Sequence, residues 1–176
     1  INTAVSFIQY LYATKPQVGI VLGIGLGSFP SEIVVEKEIL YSDIPHFPIS
    51  TVEGHSGKLI FGELGGKKVV AMAGRFHFYE GYGTDEVVFP IRVMKFLGIE
   101  TLLVSNAAGG TNKHWKVGDL MIIKDHISQF TPNPLVGKNL TEFGPRFPDM
   151  SEPYKKVLID KAKQIAATKN IFLREG

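Results

Sequence analysis

The chain has 176 residues, 44% of them hydrophobic and 20% charged, which is ordinary for a globular protein with a substantial core. A net charge of +2 with dispersed lysines argues against nucleic-acid binding, and no apolar run reaches the roughly 18 residues of a membrane span. The absence of cysteine excludes disulfides, thiolate catalysis and cysteine-ligated metals. Together with the lack of a recognisable signal segment, it favours a cytoplasmic location.

The chain opens with a predicted helix followed by a strand and a glycine-rich loop. Apolar residues at helical spacing predict a helix over residues 3–13, which Pro16 brings to an end. Residues 18–22 read as a buried strand that leads directly into the loop 23–28. Three glycines in that loop let the backbone turn tightly and present N–H groups to an anion.

A predicted hairpin follows. Residues 32–35 and 58–62 are expected to form short strands, and residues 68–73 a buried one. Gly65 and Gly66 suit the two-residue turn that joins the last two of these strands. A hairpin requires antiparallel neighbours, so the sheet is expected to be mixed rather than wholly parallel.

The segment after this hairpin contains three side chains that can bind a ligand or transfer a proton. Arg75, His77 and Tyr79 lie within five residues, directly after the strand 68–73. Arginine offers a fixed fork of donors to phosphate or carboxylate, histidine can move a proton near neutral pH, and tyrosine can stack on an organic ring. Because open α/β sheets bind ligands where parallel strands end, the cluster predicts a site for an anion beside an organic group.

The remaining segments continue the alternation of helix and strand. Residues 85–97 are predicted to be a helix with Gly98 as its C-cap, and Pro90 is expected to mark a kink or a late start. Further buried strands are predicted at residues 100–105 and 120–123. A long loop over residues 131–150 and a helix over 151–169 with Ser151 as its N-cap complete the chain. The whole is predicted to be an α/β protein with a central mixed β-sheet flanked by helices, in one domain over residues 1–176.

Other patterns narrow the chemistry. A histidine between glycines, His55, is typical of an exposed or ligand-contacting position, and the small residues 106–110 would let a ligand approach the backbone. A dinucleotide site is disfavoured, because Ser28 breaks the last glycine position and Asp43 does not follow a strand. The five histidines have no metal-binding spacing and no acidic cluster beside them, so no metal is expected.

Taken together, these segments resemble the homotrimeric class of purine nucleoside phosphorylases. The matching segments are residues 18–27, 54–57, 74–81, 105–110 and 143–148, in the order found in that family. The resemblance implies a glycosyltransferase (a pentosyltransferase) of nucleoside metabolism and purine salvage. Inosine or guanosine would react with phosphate to give the free purine and ribose 1-phosphate. Phosphate is then a co-substrate, and no cofactor is implied.

The resemblance also implies roles for individual residues. Arg75 and His77 would be catalytic and would bind phosphate, with His55, Phe76 and the backbone N–H of Ala107 as further phosphate ligands. Nucleoside-binding roles fall on three residues: Tyr79, Asn106 and Phe143. Phe143 would cover the ribose in a neighbouring subunit, which implies a homotrimer.

Two departures from the family pattern leave an alternative open. Ile24 occupies a phosphate-binding position where the family usually carries a serine or threonine hydroxyl. The family also continues beyond Gly176, so residues 1–176 would be the N-terminal part of a longer phosphorylase domain. The alternative is a catalytically impaired homologue that binds nucleoside or phosphate without turnover. An oxidoreductase that uses a nucleotide cofactor is a more distant one.

Overall fold

A computed structural model of the chain describes residues 1–23, 25–49, 57–129 and 131–176. The predictions made for Ile24 and His55 fall outside these residues. The chain divides into two compact units, residues 1–108 and 109–176, and each is described by itself. The assignment of residues 1–176 to one α/β domain stays a prediction.

The described residues of the first unit form two α-helices and five strands, in the order α1, β1, β2, β3, β4, α2 and β5. Their bounds are α1 Asn2–Leu11, β1 Val18–Val21, β2 Val34–Leu40, β3 Lys58–Leu64, β4 Lys67–Ala73, α2 Thr84–Leu97 and β5 Thr101–Val104. Short 3-10 helices lie at Phe29–Glu32, Tyr41–Asp43 and Phe78–Glu80. The strand expected at residues 32–35 therefore begins later, at Val34, because Pro30 starts a 3-10 turn just before it.

The five strands form one sheet in the order β2-β3-β4-β1-β5. β2, β3 and β4 pair antiparallel, whereas β1 pairs parallel with both β4 and β5. The turn between β3 and β4 consists of Gly65 and Gly66, both with positive φ (57° and 74°), as a two-residue hairpin of this kind requires. The predicted mixed α/β sheet is confirmed.

The core lies on both faces of this sheet. Leu59, Phe61, Val70 and Met72 face one side, where α1 and α2 pack against them, while alternate residues of the same strands face a smaller cluster around Ile60. Burial on both faces explains why β3 and β4 read as continuous apolar runs.

Helix α2 has a glycine as the cap residue at each end, Gly83 before Thr84 and Gly98 after Leu97. The Glu86 carboxylate accepts a hydrogen bond from the Gly83 N–H (2.8 Å) at its start, and Gly98 with φ 107° ends it in the left-handed conformation. The predicted C-cap is confirmed. Pro90 lies well inside the helix, so the predicted late start is wrong.

The second unit contains β6 Leu120–Ile122, a 3-10 helix Thr141–Phe143, α3 Lys156–Thr168 and β7 Leu173–Glu175. β6 and β7 pair parallel as a two-stranded sheet. The predicted N-cap Ser151 is wrong. Its N–H and hydroxyl both donate to the Asp149 carboxylate (2.9 and 2.6 Å), so it belongs to a local turn, and α3 begins at Lys156.

Two strands predicted to be buried are exposed. Leu103 and Val104 of β5 are 50% and 58% accessible, and Leu120 of β6 is 55% accessible. β5 is one of the two edge strands of its sheet, and an apolar run in the sequence does not reveal whether another layer covers it. No helix among the described residues is long and apolar enough to cross a membrane.

Candidate active site

The candidate site lies at one edge of the sheet of the first unit. Because β1 runs parallel to β4 and β5, the carboxyl ends of these three strands meet there. The three loops that follow contain Gly23 after β1, Gly74 and Arg75 after β4, and Ser105 after β5. This edge is where open α/β sheets place their ligands.

Arg75 is a cation at this edge of the sheet, and two hydrogen bonds hold its side chain in place. Its Nε donates to Nε2 of His77 (3.0 Å), and its Nη1 donates to the carbonyl oxygen of Ser105 (2.6 Å). These two bonds hold the plane of the guanidinium between the β4 and β5 loops. A guanidinium carries five N–H groups, so others remain for an anion.

His77 is held from its other side by a carboxylate. Oε1 of Glu80 accepts hydrogen bonds from the backbone N–H of His77 (3.0 Å) and from its ring Nδ1 (2.5 Å). The Glu80 side chain is only 5% exposed. With Arg75 donating to Nε2, this network assigns the ring proton to Nδ1. Sequence reasoning missed Glu80, although its position three residues after His77 is the signal of a capping box.

Tyr79 and Phe76 have opposite environments. The ring of Tyr79 stacks on the His77 imidazole, with centroids 4.6 Å apart and planes 17° apart, and the residue is 76% exposed. Phe76 is only 3% exposed and packs against Tyr41. Its ring belongs to the core, so any contact of Phe76 with a ligand would come from its backbone.

Tyr41 holds Gly74, the residue before Arg75, through a hydrogen bond. Its hydroxyl donates to the carbonyl oxygen of Gly74 (2.7 Å), and its side chain is buried. Burial raises the pKa of Tyr41 well above its ordinary value, because the charged phenolate would lose its hydration. The neutral phenol therefore stays in place as a donor.

The remaining predicted residues are distributed unevenly. Asn106 and Ala107 are exposed just after Ser105, and the Asn106 side-chain amide donates to the carbonyl oxygen of Ala107 (3.2 Å). Phe143 belongs to the second unit, where it is half-buried at the end of a 3-10 helix. The most exposed aromatic ring of the same loop is that of Phe147, at 86%.

Two further features lie apart from this edge. A cavity of about 290 Å³ is lined by Tyr12, Lys15 and Gly98, which precede β1 and β5, so it lies at the opposite edge of the sheet. It contains none of the predicted site residues. Within the described ranges no group of three or more His, Asp or Glu side chains could hold a metal ion.

Comparison with known proteins identifies the family to which the chain belongs. The family model described as "Phosphorylase superfamily" matches residues 17–176, and the chain therefore belongs to the phosphorylase superfamily. Within it, the chain is 53% identical over 176 residues to purine nucleoside phosphorylase 1 of Geobacillus stearothermophilus, covering all of this chain and 64% of that protein. The chain thus spans slightly less than two thirds of the length of this curated relative.

Solved structures give the same result. Purine nucleoside phosphorylase of Schistosoma mansoni in complex with inosine matches with a TM-score of 0.89 and 45% identity, over 99% of this chain and 63% of that one. Isoform 2 from the same organism, in complex with cytosine and ribose-1-phosphate, matches with a TM-score of 0.91 and 44% identity, again over 99% and 63%. Family membership sets the oxidoreductase alternative aside, and Asp43 lies in a 3-10 helix rather than at a strand end.

Proposed function

We propose that the protein catalyses the phosphorolysis of purine nucleosides, with inorganic phosphate as co-substrate. The observation that carries this proposal is the hydrogen-bonded set of Arg75, His77 and Glu80 at the carboxyl edge of the parallel strands. The names of the relatives and the inosine and ribose-1-phosphate bound to solved neighbours support the substrate class.

The phosphate would bind against Arg75 and His77. Arg75 is fixed by Ser105 and His77, so its remaining N–H groups are oriented before any anion arrives. His77 accepts from Arg75 at Nε2 and is held at Nδ1 by the buried Glu80 carboxylate, so its ring would keep the guanidinium turned towards the anion. The backbone N–H of Ala107, exposed beside this pair, would be a further donor.

The reaction itself needs mainly positioning and electrostatic stabilisation. Breaking an N-glycosidic bond builds positive charge on the ribose, as in glycoside hydrolysis. A phosphate dianion beside that carbon stabilises the charge and then forms the new C–O bond, while the purine leaves with a proton or hydrogen bond at its ring nitrogen. The exposed Tyr79 ring, stacked on His77, would contact the ribose from the solvent side.

We further propose a homotrimer whose long loop completes the neighbouring site. Phe143 is the residue first expected to reach the neighbour, but it is half-buried, whereas Phe147 of the same loop is 86% exposed. Arg146 donates to the carbonyl oxygens of Leu135 and Gly137 (3.0 and 2.5 Å), which fixes the backbone beside Phe147. Comparing the nucleoside KM of Phe143→Ala and Phe147→Ala, with the mass measured by light scattering, tests which ring acts.

The deciding experiment for the function is purine release from inosine by the full-length protein, with and without phosphate. We expect release that depends on phosphate and yields ribose 1-phosphate. Release at the same rate without phosphate would indicate hydrolysis and contradict the proposal. Binding without turnover would indicate the impaired homologue, the alternative left open by the two departures from the family pattern, of which Ile24 lies outside the described residues.

A further inference from the structure

The backbone and side chain of Ser105 contact two of the loops that meet at the site. Its hydroxyl accepts a hydrogen bond from the Gly23 N–H (2.9 Å) and donates to the carbonyl oxygen of Val21 (3.2 Å). Its own N–H donates to the same Val21 carbonyl (3.1 Å), and its carbonyl oxygen accepts from Arg75 (2.6 Å). All the hydrogen-bonding groups of this half-buried residue are therefore used in contacts to the end of β1 and to the loops that follow β1 and β4.

The approach of Gly23 to Ser105 is unusually close. A Cβ atom built on Gly23 would lie 2.6 Å from the carbonyl oxygen of Ser105 and 2.9 Å from the Cα of Asn106. Both are backbone atoms that cannot rotate away. The start of the glycine loop is thus pressed against the end of β5, and the Ser105 hydroxyl fixes the distance between them.

We infer that Ser105 is a positioning residue, which sets the glycine-rich loop and Arg75 in register for a phosphate bound between them. The inference rests on the proposed function for the identity of the anion. Because Gly23 gives its N–H to Ser105, the anion contacts of this loop fall to residues after Gly23. Ser105 acts through the loop and through Arg75, without touching the substrate.

The two halves of this role depend on different atoms. The contact to Arg75 uses the backbone carbonyl of Ser105, which any residue retains, whereas the contact to Gly23 uses the hydroxyl. Ser105→Ala therefore removes the loop contact and spares the arginine contact. Ser105→Thr keeps the hydroxyl and adds one methyl group to a half-buried position.

The test is steady-state kinetics on the full-length protein with Ser105→Ala and Ser105→Thr, and with Ser42→Ala as the matched control. Ser42 is exposed, and its hydroxyl donates to the carboxylate of the adjacent Asp43 (3.3 Å). For Ser105→Ala we expect the phosphate KM to rise by roughly three- to tenfold, as for one lost hydrogen bond, with a much smaller change in the inosine KM. Ser105→Thr should restore the wild-type phosphate KM, and Ser42→Ala should match wild type.

Several outcomes would overturn the inference. One is an unchanged phosphate KM in Ser105→Ala. A second is a parallel rise of both KM values with a fall in thermal stability, which would indicate a structural role only. A third is a threonine variant as impaired as the alanine variant.

Direct phosphate binding by calorimetry separates this inference from the proposed function. If wild type binds phosphate but releases no purine, the proposed function fails, and the order of phosphate Kd values among the variants still decides the role of Ser105. If wild type does not bind phosphate, both are overturned.

Discussion

The two units of the chain are stabilised in different ways. The first holds a buried core on both faces of its sheet, with residues such as Phe61 and Val70 fully inaccessible. In the second, Ala166 is the one buried hydrophobic residue within the part of the chain that the structure describes. Ion pairs occur in both units, and those of the second include Arg174 with Asp119 (2.9 Å) and Lys163 with Glu175 (2.6 Å).

This difference matches the distribution of candidate functional residues. Arg75 and His77, the proposed anion ligands, extend from the unit with the packed core, where β4 and Tyr41 hold their loop. Phe143 and Phe147, which would cover a ligand, belong to the unit with little core. The proposed anion ligands and the proposed covering residues thus belong to different units of the chain.

The largest expected effect is on the core of the first unit. Phe61→Ala removes a ring that is 0% exposed and 4.9 Å from Tyr12, and should cost about 3–5 kcal/mol of unfolding free energy. Phe172→Ala in the second unit removes a ring that is 66% exposed and lies under the Arg174 guanidinium, and should cost about 1 kcal/mol or less. Urea unfolding measures both. Equal costs would contradict the comparison.

The second effect is on phosphate use. Arg75→Ala should lower kcat/KM for phosphate by about 100-fold or more, because it removes donors that are already oriented. The control is Arg92→Ala, which breaks a surface pair with Asp85 (3.0 Å) in α2 and should change the kinetics little. Similar kinetics for the two variants would show that the edge of the sheet does not bind phosphate.

The third effect concerns the glycine loop. Gly23→Ala forces a methyl group against the Ser105 backbone and should destabilise the protein by about 1–3 kcal/mol. A Cβ on Gly27 would meet nothing within 4 Å, so Gly27→Ala should stay within about 0.5 kcal/mol of wild type. The urea unfolding midpoints of Gly23→Ala and Gly27→Ala are then compared. Equal midpoints would show that the loop can move away from β5.

The smallest effect is a difference between the two units in how stability depends on pH. The Lys116 N–H and then the Arg174 guanidinium lower the pKa of Asp119 below its ordinary 3.8. The ionised form is therefore favoured by folding, and its stabilisation is complete above pH 3.8 and lost as pH falls through the lowered value. Fluorescence of Trp115, the single tryptophan and 5.7 Å from Arg174, reports this acid transition, which Asp119→Asn should weaken.

In the first unit, the stability contributed by Tyr41 changes with pH in the opposite direction. Its pKa is raised above the ordinary 10.0 by burial, so its stabilisation is complete below pH 10 and lost as pH rises towards the raised value. Tyr41→Phe should therefore reduce the alkaline sensitivity of the first unit, measured by hydrogen exchange of β4. Because Tyr41→Phe also loses the hydrogen bond to Gly74 at every pH, the slope of stability against pH is compared rather than its level. An unchanged alkaline slope in Tyr41→Phe, or an unchanged acid slope in Asp119→Asn, would contradict this assignment.

Local patterns in the sequence predicted much of the fold. Apolar runs located β1, β3 and β4, and Gly65-Gly66 predicted the hairpin, because both signals depend on neighbouring residues alone. The same signal misjudged β5, whose exposure depends on what lies beside the sheet. β7 was missed because three residues carry too little periodicity.

The candidate site was predicted unevenly for the same reason. Arg75 and His77 were visible as a cluster, and the structure brings their side chains within 3.0 Å. Their roles stay predictions. Ser105 and Tyr41 were not singled out as supports, because their contacts span 30 and 33 residues of sequence and carry no local signature.

The hairpin of β3 and β4 also offers a practical handle. β4 spans seven residues, so its turn end lies about 20 Å from the end that leads into Arg75. Lys67 is exposed at that turn, and the chain has no cysteine of its own. Within these 176 residues, Lys67→Cys would therefore be the one cysteine, and a fluorophore attached to it would report ligand binding from outside the site by a change in its emission.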